Sequence, residues 1–377
     1  MDFHDAPDEA AFRARIRSWL EQQGDSIKRS HSDDDYWTLL GDWHQQLYDA
    51  GFFALAWPKK YGGHDLPPVY EVIVDEELAR AGAPAKPSLG YLIQGISHHG
   101  SEAIKDRFLP GLINGRDRWC QGFSEPDAGS DLASLRTTAV RDGDEYVING
   151  HKIWTSYSDV AEWCIVLART DPDVPKHKGL SAFAVPMDQP GIQQRPLQMI
   201  NGITTEFGQV TFDDARVPAE NMIGEPGEGW PLAMTIVTHE REPAELGNSA
   251  RYLKAVTDLE DLVRRRPGSI DATDSAELAW AYVQAEMLRL HVARRLSERL
   301  DGITHTPYGS VDKLLMTWTE QTIGQAGLAV GLVPALAGGD AEQLDFYLYS
   351  RAQSVMGGTA QIQKNIVATR LLGQPVK

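Results

Sequence analysis

Apolar residues recur at three- and four-residue spacing through FRARIRSWLEQQ and YWTLLGDWHQQLYDAG, which places them on one face of a helix. The second stretch closes on Gly51, a residue suited to a helix C-cap. A Pro/Gly break, WPKKYGGHDLPP, leads into a third helical stretch, VYEVIVDEELARAG. The pattern changes after Gly115. WCIVLART, GLSAFAVPM, IQQRPLQMI and FGQVTFDDARV are short, β-rich and bounded by turn clusters, and they predict an antiparallel β-domain over residues 116–222. From Trp230 the helical period returns, interrupted at RRRPGSIDATD and ALAGGD. The expectation is an α+β chain: a helical domain over 1–115, a β-domain over 116–222 and a second helical domain over 223–377.

The most informative stretch is WCQGFSEPDAGSD, from Trp119 to Asp131, answered by GHKIWTS from Gly150 to Ser156. Between them, LASLRTTAVRDGDEYVIN alternates and carries the Asp-Gly signal of a β-hairpin. A strand thus enters a loop of Ser, Pro, Asp and Gly, and a second strand returns beside it with Trp154. Such a loop offers backbone N–H groups and hydroxyls to an acceptor-rich ligand, and the indole offers a flat stacking face. Together they form a plausible cradle for a large aromatic cofactor.

Composition narrows the choices. The chain has 377 residues, 42% of them hydrophobic, enough for more than one core. A formal net charge of -17 disfavours nucleic acid or an anionic membrane as partner. The two cysteines, Cys120 and Cys164, lie in no CxxC or Cys/His cluster, so neither a disulfide framework nor a zinc site is expected. His98 and His99 are adjacent and point in different directions on a helix, which argues against a shared metal. No apolar run reaches the roughly 18–20 residues of a membrane span, and the acidic start MDFHDAPDEA is unlike a signal peptide. The expectation is a soluble, cytoplasmic protein.

One carboxylate stands out. In WPLAMTIVTHEREPAELGNSA, residues Ala233, Ile236, Val237, Glu240, Ala244 and Gly247 recur at spacings of three or four, which puts Glu240 on an apolar helix stripe. Burying a charge is costly, so it needs a partner or a task. Pro243 removes the N–H that would bond the carbonyl of His239, and a helix kinked beside Glu240 is expected. Glu242 and Glu245 fall off the stripe.

SEPDAGSD followed by DGDEYVINGHKIWTS resembles the flavin-binding signature of the acyl-CoA dehydrogenases. AWPKKYGG, FDDARVPAENMIGEPGEGW and GGTAQIQKNIVATRLLG resemble the same family in the same order, so the likeness covers nearly the whole chain. It implies an N-terminal helical domain, a middle antiparallel β-domain and a C-terminal four-helix bundle, with FAD as cofactor and acyl-CoA as substrate. By resemblance, Gln121, Phe123 and Ser124 hold the flavin ring edge, and Ser130 lies near the phosphate and pantetheine region. Trp154 stacks on the isoalloxazine and Ser156 bonds flavin N5. Thr359 and Gln361 touch the AMP part. Taken singly, each of these reads more readily as a turn or packing residue; it is their joint order that carries the cofactor reading.

The family removes an α-proton from an acyl thioester while a β-hydride passes to the flavin, and electrons leave through an electron-transferring flavoprotein. Many members carry the base just before the Gly-Thr of the C-terminal motif, a position that here is Gly357 in VMGGTAQIQ. A second known placement is a Glu-Arg pair on a C-terminal-domain helix, which matches Glu240 and Arg241. The resemblance therefore implies Glu240 as base and Arg241 beside it or near CoA, with the Gly357 N–H binding the thioester carbonyl. The stretches by which a like subunit completes a neighbour's FAD site are degraded here: DLVRRRPGSIDATDSAEL has no Phe-Gly, and GLVPALAGGDAEQL matches poorly. A tetramer is implied, and an α2β2 assembly with a paralogous subunit resembles the two-gene dehydrogenases of steroid side-chain thioesters. A homo-oligomer with altered contacts, an oxidase or monooxygenase on the same fold, and a non-catalytic subunit stay open.

Overall fold

The computed structural model describes residues 4–24, 36–87, 89–203, 206–240, 248–265, 270–303, 307–336 and 341–375. They fall into two compact units. One comprises Met1–Arg29, Leu66–Lys86 and Glu240–Lys377; the other comprises Ser30–Asp65 and Pro87–His239.

The second unit is built on an eight-stranded sheet in the order β6-β7-β3-β2-β4-β5-β8, with β1 paired to β4 off that path. The strands are β1 (Trp119–Gly122), β2 (Thr138–Asp142), β3 (Glu145–Ser156), β4 (Trp163–Arg169), β5 (Leu180–Pro186), β6 (Ile192–Pro196), β7 (Phe207–Pro218) and β8 (Met222–Ile223). The expected hairpin is β2–β3, closed at Asp142↔Glu145 with Gly143 at φ 66° in its turn. The sheet departs from the purely antiparallel expectation, because β1–β4 and β2–β4 are parallel. The β2–β3 excursion between β1 and β4 supplies the dozen or more residues that a parallel return requires.

Helices α2 (Tyr36–Asp49), α4 (Gly90–His99), α5 (Glu102–Ile113) and α6 (Gly229–His239) belong to this unit. Strand β4 is buried on both faces: Cys164, Val166 and Ala168 join the core with Phe183 and Val185, and Ile165 and Leu167 are equally enclosed. Helix α6 reaches β5 closely, since a Cβ on Gly229 would stand 2.8 Å from the Leu180 carbonyl oxygen. It packs on α4 at Gly95, where any side chain would strike Ile236.

In the first unit, α1 (Pro7–Gln23) packs on α3 (Val69–Ala81), and α3 packs on α7 (Asn248–Arg265). Around α9 (Tyr308–Leu336) gather α7, α8 (Ala272–Leu300) and α10 (Ala341–Ala352), the four long helices of the C-terminal region. Ala281, Ala285, Leu288 and Val292 give α8 a narrow inward stripe against Tyr252, Val256, Leu259, Met316 and Ile323. A short α11 (Ala360–Ile366) follows the Gly357–Gly358 turn.

Candidate active site

The loop that leaves β1 is fastened at both ends. Glu125, buried with Lys152, accepts hydrogen bonds from Lys152 Nζ at 2.9 Å, Thr137 N at 2.8 Å and Arg136 N at 2.6 Å. Lys152 also donates to the Phe123 carbonyl at 3.0 Å. Burial pushes the Glu125 carboxyl up, but the Lys152 charge and the donated hydrogen bonds outweigh it, so its pKa lies below the ordinary carboxylate value. At the far end, Arg169 on β4 donates to the carbonyls of Ala133 at 2.7 Å and Leu135 at 3.2 Å. The burial of Lys152 had a signal in the alternation of its strand. Lys152 shares the period-two face of Tyr146 and Ile148, both in the core.

Trp154 takes the unusual backbone. Its φ is 61°, in the left-handed region, where the pairing of β3 with β7 slips between Lys152 and Thr155. A bulky residue there is strained and persists only where the surroundings enforce it. The bulge turns the indole outward: Trp154 is 61% exposed, and its recorded ring neighbour is Phe207, edge-on at 6.2 Å. A flat aromatic face is thus held open on a strand. Of the other residues expected at the ring edge, Gln121 on β1 is half-buried, Phe123 is buried, Ser124 is half-buried with its carbonyl accepting from Ile153 N at 3.0 Å, and Ser156 at the end of β3 is half-buried. Ser130 is exposed on the loop. These residues suit a flat ring system with polar edges.

The other candidate residues sit in the helical unit. Helix α6 ends at His239 and Glu240 follows in a turn, so the expectation that Glu240 lies on the stripe of a kinked helix is corrected. Arg241, Pro243, Ala244 and Gly247 lie outside the described residues. Gly357 adopts φ 61° and Gly358 φ 89°. A Cβ built on Gly357 would stand 3.9 Å from Glu240 Oε1, 3.5 Å from Lys313 Cε and 3.9 Å from Lys313 Nζ. Two positions 117 residues apart in sequence, Glu240 and Gly357, therefore meet at one point. Thr359 caps α11, its hydroxyl accepting from Ile362 N at 3.2 Å, and buried Gln363 donates to the carbonyls of Gly357 and Gly358. Gln361 is exposed on the same turn.

Comparison with known proteins decides the family. Family models for the acyl-CoA dehydrogenase N-terminal, middle and C-terminal domains match residues 6–116, 120–215 and 227–372. The chain belongs to the acyl-CoA dehydrogenase family. Acyl-CoA dehydrogenase IpdE1 of Mycobacterium tuberculosis is 36% identical over 97% of this chain and 97% of its own length. The solved Tcur3481-Tcur3483 steroid acyl-CoA dehydrogenase is 29% identical with a TM-score of 0.86 over all of both chains. The ChsE4-ChsE5 complex from Mycobacterium tuberculosis is 27% identical with a TM-score of 0.84, again over all of both chains.

Other groups stay structural. His98 Nδ1 lies 2.9 Å from the Gln94 carbonyl and His99 Nε2 lies 2.8 Å from Thr235 Oγ1. Among the described residues, no group of three His, Cys, Asp or Glu could hold a metal, and no helix is long and apolar enough to cross a membrane. Cys120 and Cys164 are buried register partners on β1 and β4, and burial pushes the Cys120 thiol up.

Proposed function

We propose that this acyl-CoA dehydrogenase family member performs FAD-dependent α,β-dehydrogenation of a bulky acyl-CoA, giving the trans-2-enoyl-CoA, with Glu240 as the base. The observation that carries the reading is the approach of Glu240 Oε1 to the vacant side-chain position of Gly357. A carboxylate delivered from position 240 reaches the place where many family members grow one from the C-terminal motif. FAD, when bound, accepts the hydride. Trp154 would stack on its ring, Gln121, Phe123, Ser124 and Ser156 would meet its polar edge, and Thr359 and Gln361 would meet its AMP end. Ser130 and Arg241 are assigned to the CoA moiety. The Gly357 N–H would polarise the thioester carbonyl, an interaction that strengthens as negative charge develops there. The three domains are assigned to 1–115, 116–222 and 223–377.

Electrons would leave to an electron-transferring flavoprotein. A steroid side-chain thioester is the favoured substrate, since the structures similar over all of both chains include a steroid acyl-CoA dehydrogenase and a two-protein complex. An α2β2 assembly with a paralogous subunit is supported by a second observation. Trp280, Val283, Met287 and Leu290 form a stripe on α8 and are each more than 40% exposed, an apolar face suited to a partner helix.

The test is anaerobic flavin bleaching by a panel running from butyryl-CoA to a steroid-carboxyl CoA, in wild type and Glu240→Gln. Bleaching by wild type and almost none by the variant, with flavin retained, supports the reading. Normal bleaching by the variant removes Glu240 from the chemistry.

A further inference from the structure

We propose that Lys313 is a positioning residue that holds the Glu240 carboxylate ionised and aimed at the Gly357 turn. The inference rests on the reading of Glu240 as the base. Lys313 lies near the start of α9 and is 4% exposed, so its ammonium has left water and needs compensating partners. Gln353 supplies two, its carbonyl at 2.9 Å and its side-chain oxygen at 3.1 Å from Nζ. Both are dipoles; neither carries charge. They fix the lysine head beside Gly357, where Nζ and Glu240 Oε1 each stand 3.9 Å from the same point, hence no more than twice that distance from one another.

The other charged groups near Lys313 each have further partners. Glu320 on α9 accepts from the Tyr252 hydroxyl on α7, and burial pushes its carboxyl up to about 6 against the opposing pull of Tyr252, Lys313, Gln353 and Arg351. Arg351, at the end of α10, donates to the Gln321 carbonyl and the Ser350 hydroxyl. Asp312, next in sequence, is turned to His291 at 2.5 Å and Arg295 at 3.5 Å. Glu240 is the carboxylate that shares the Gly357 space with Lys313. A side chain at 357 would fill that space and separate them, so the glycine that removes one carboxylate also opens the lysine to the other. An adjacent cation favours the ionised, base-competent form of a carboxylate.

The test uses the full chain in its flavin-loaded assembly, with whichever acyl-CoA of the panel reduces wild type fastest. Loss of the cation raises the pKa of the base, so Lys313→Met should move the acidic limb of the flavin-reduction pH profile upward by about one unit or more. Below that limb the rate falls roughly tenfold, while Lys313→Arg keeps the wild-type limb. A second readout needs no turnover. In denaturant unfolding of substrate-free protein at neutral pH, Lys313→Met should cost less in a Glu240→Gln background than alone. A merely structural lysine would lower rates at every pH, leave the limb in place and give additive unfolding effects, and that result overturns the proposal. If Glu240→Gln bleaches flavin at the wild-type rate, the base reading fails and Lys313 loses its role with it. If Glu240→Gln is inactive and Lys313→Met leaves both limb and additivity unchanged, the lysine proposal alone is wrong.

Discussion

The sheet and the helical bundle each bury a glutamate, and the two are treated in opposite ways. Glu125 is surrounded by N–H donors and the Lys152 ammonium, which hold its pKa below the ordinary value. Glu320 meets the Tyr252 hydroxyl and Gln353 with the Lys313 and Arg351 charges farther off, and burial outweighs them, leaving its carboxyl up at about 6. The first is a fastener whose lone pairs are used; the second is a group whose charge is held back. A carboxylate's job follows from what donates to it, not from its depth. Glu240 belongs with neither, since it emerges from a helix end onto a glycine turn.

The largest effect that would break this contrast is on catalysis. Glu240→Gln should lower the rate of flavin reduction by about 10²–10⁴-fold, the range for loss of a general base, measured by stopped-flow absorbance. Lys152→Met comes next: removing one partner of a buried pair strands the other charge, so unfolding should lose about 3–5 kcal/mol in denaturant titration. The opposite pH signs of the two glutamates give a sharper comparison. Glu320 has its folded pKa raised from 4.5 to about 6, so its contribution is fully present below 4.5 and is lost as pH rises through about 6. Glu320→Gln should remove that loss, ~2 kcal/mol, from a stability-against-pH curve. Glu125, with its pKa depressed, contributes stability above the ordinary carboxylate pKa and loses it as pH falls through the folded value.

Smaller still is the backbone at Trp154. Trp154→Gly should release flavin yet be more stable than Trp154→Ala by about 1 kcal/mol, because glycine tolerates the left-handed conformation. The smallest expected effect is at the exposed pair between Asp131, on the same loop as Glu125, and Lys176 between β4 and β5, 2.6 Å apart. Lys176→Ala should leave the melting temperature unchanged, since surface pairs add little.

Much of the sheet was legible because alternation and turn residues are local. The β2–β3 hairpin follows alternation and its Asp-Gly turn, and the strands beginning at Trp163, Leu180, Ile192 and Phe207 follow β-rich runs bounded by turn clusters. The parallel pairing of β1 with β4 was not, because nothing in four residues states which neighbour they will meet. The helical stripe through Glu240 misled because periodicity does not mark where a helix ends. The approach of Glu240 to Gly357 and Lys313 is tertiary and leaves no local trace. Lys313 lies in VDKLLMT, where a lysine reads as a solvated interruption until the bundle closes over it.

The fastening of the β1–β2 loop has a thermodynamic consequence. Glu125 gathers the N–H groups of Arg136 and Thr137, and Arg169 gathers the carbonyls of Ala133 and Leu135, so the loop acquires its shape when the sheet forms. Its conformational entropy is lost in folding, not at association. A ligand reaching this surface meets backbone already ordered, and its affinity is not reduced by having to order it.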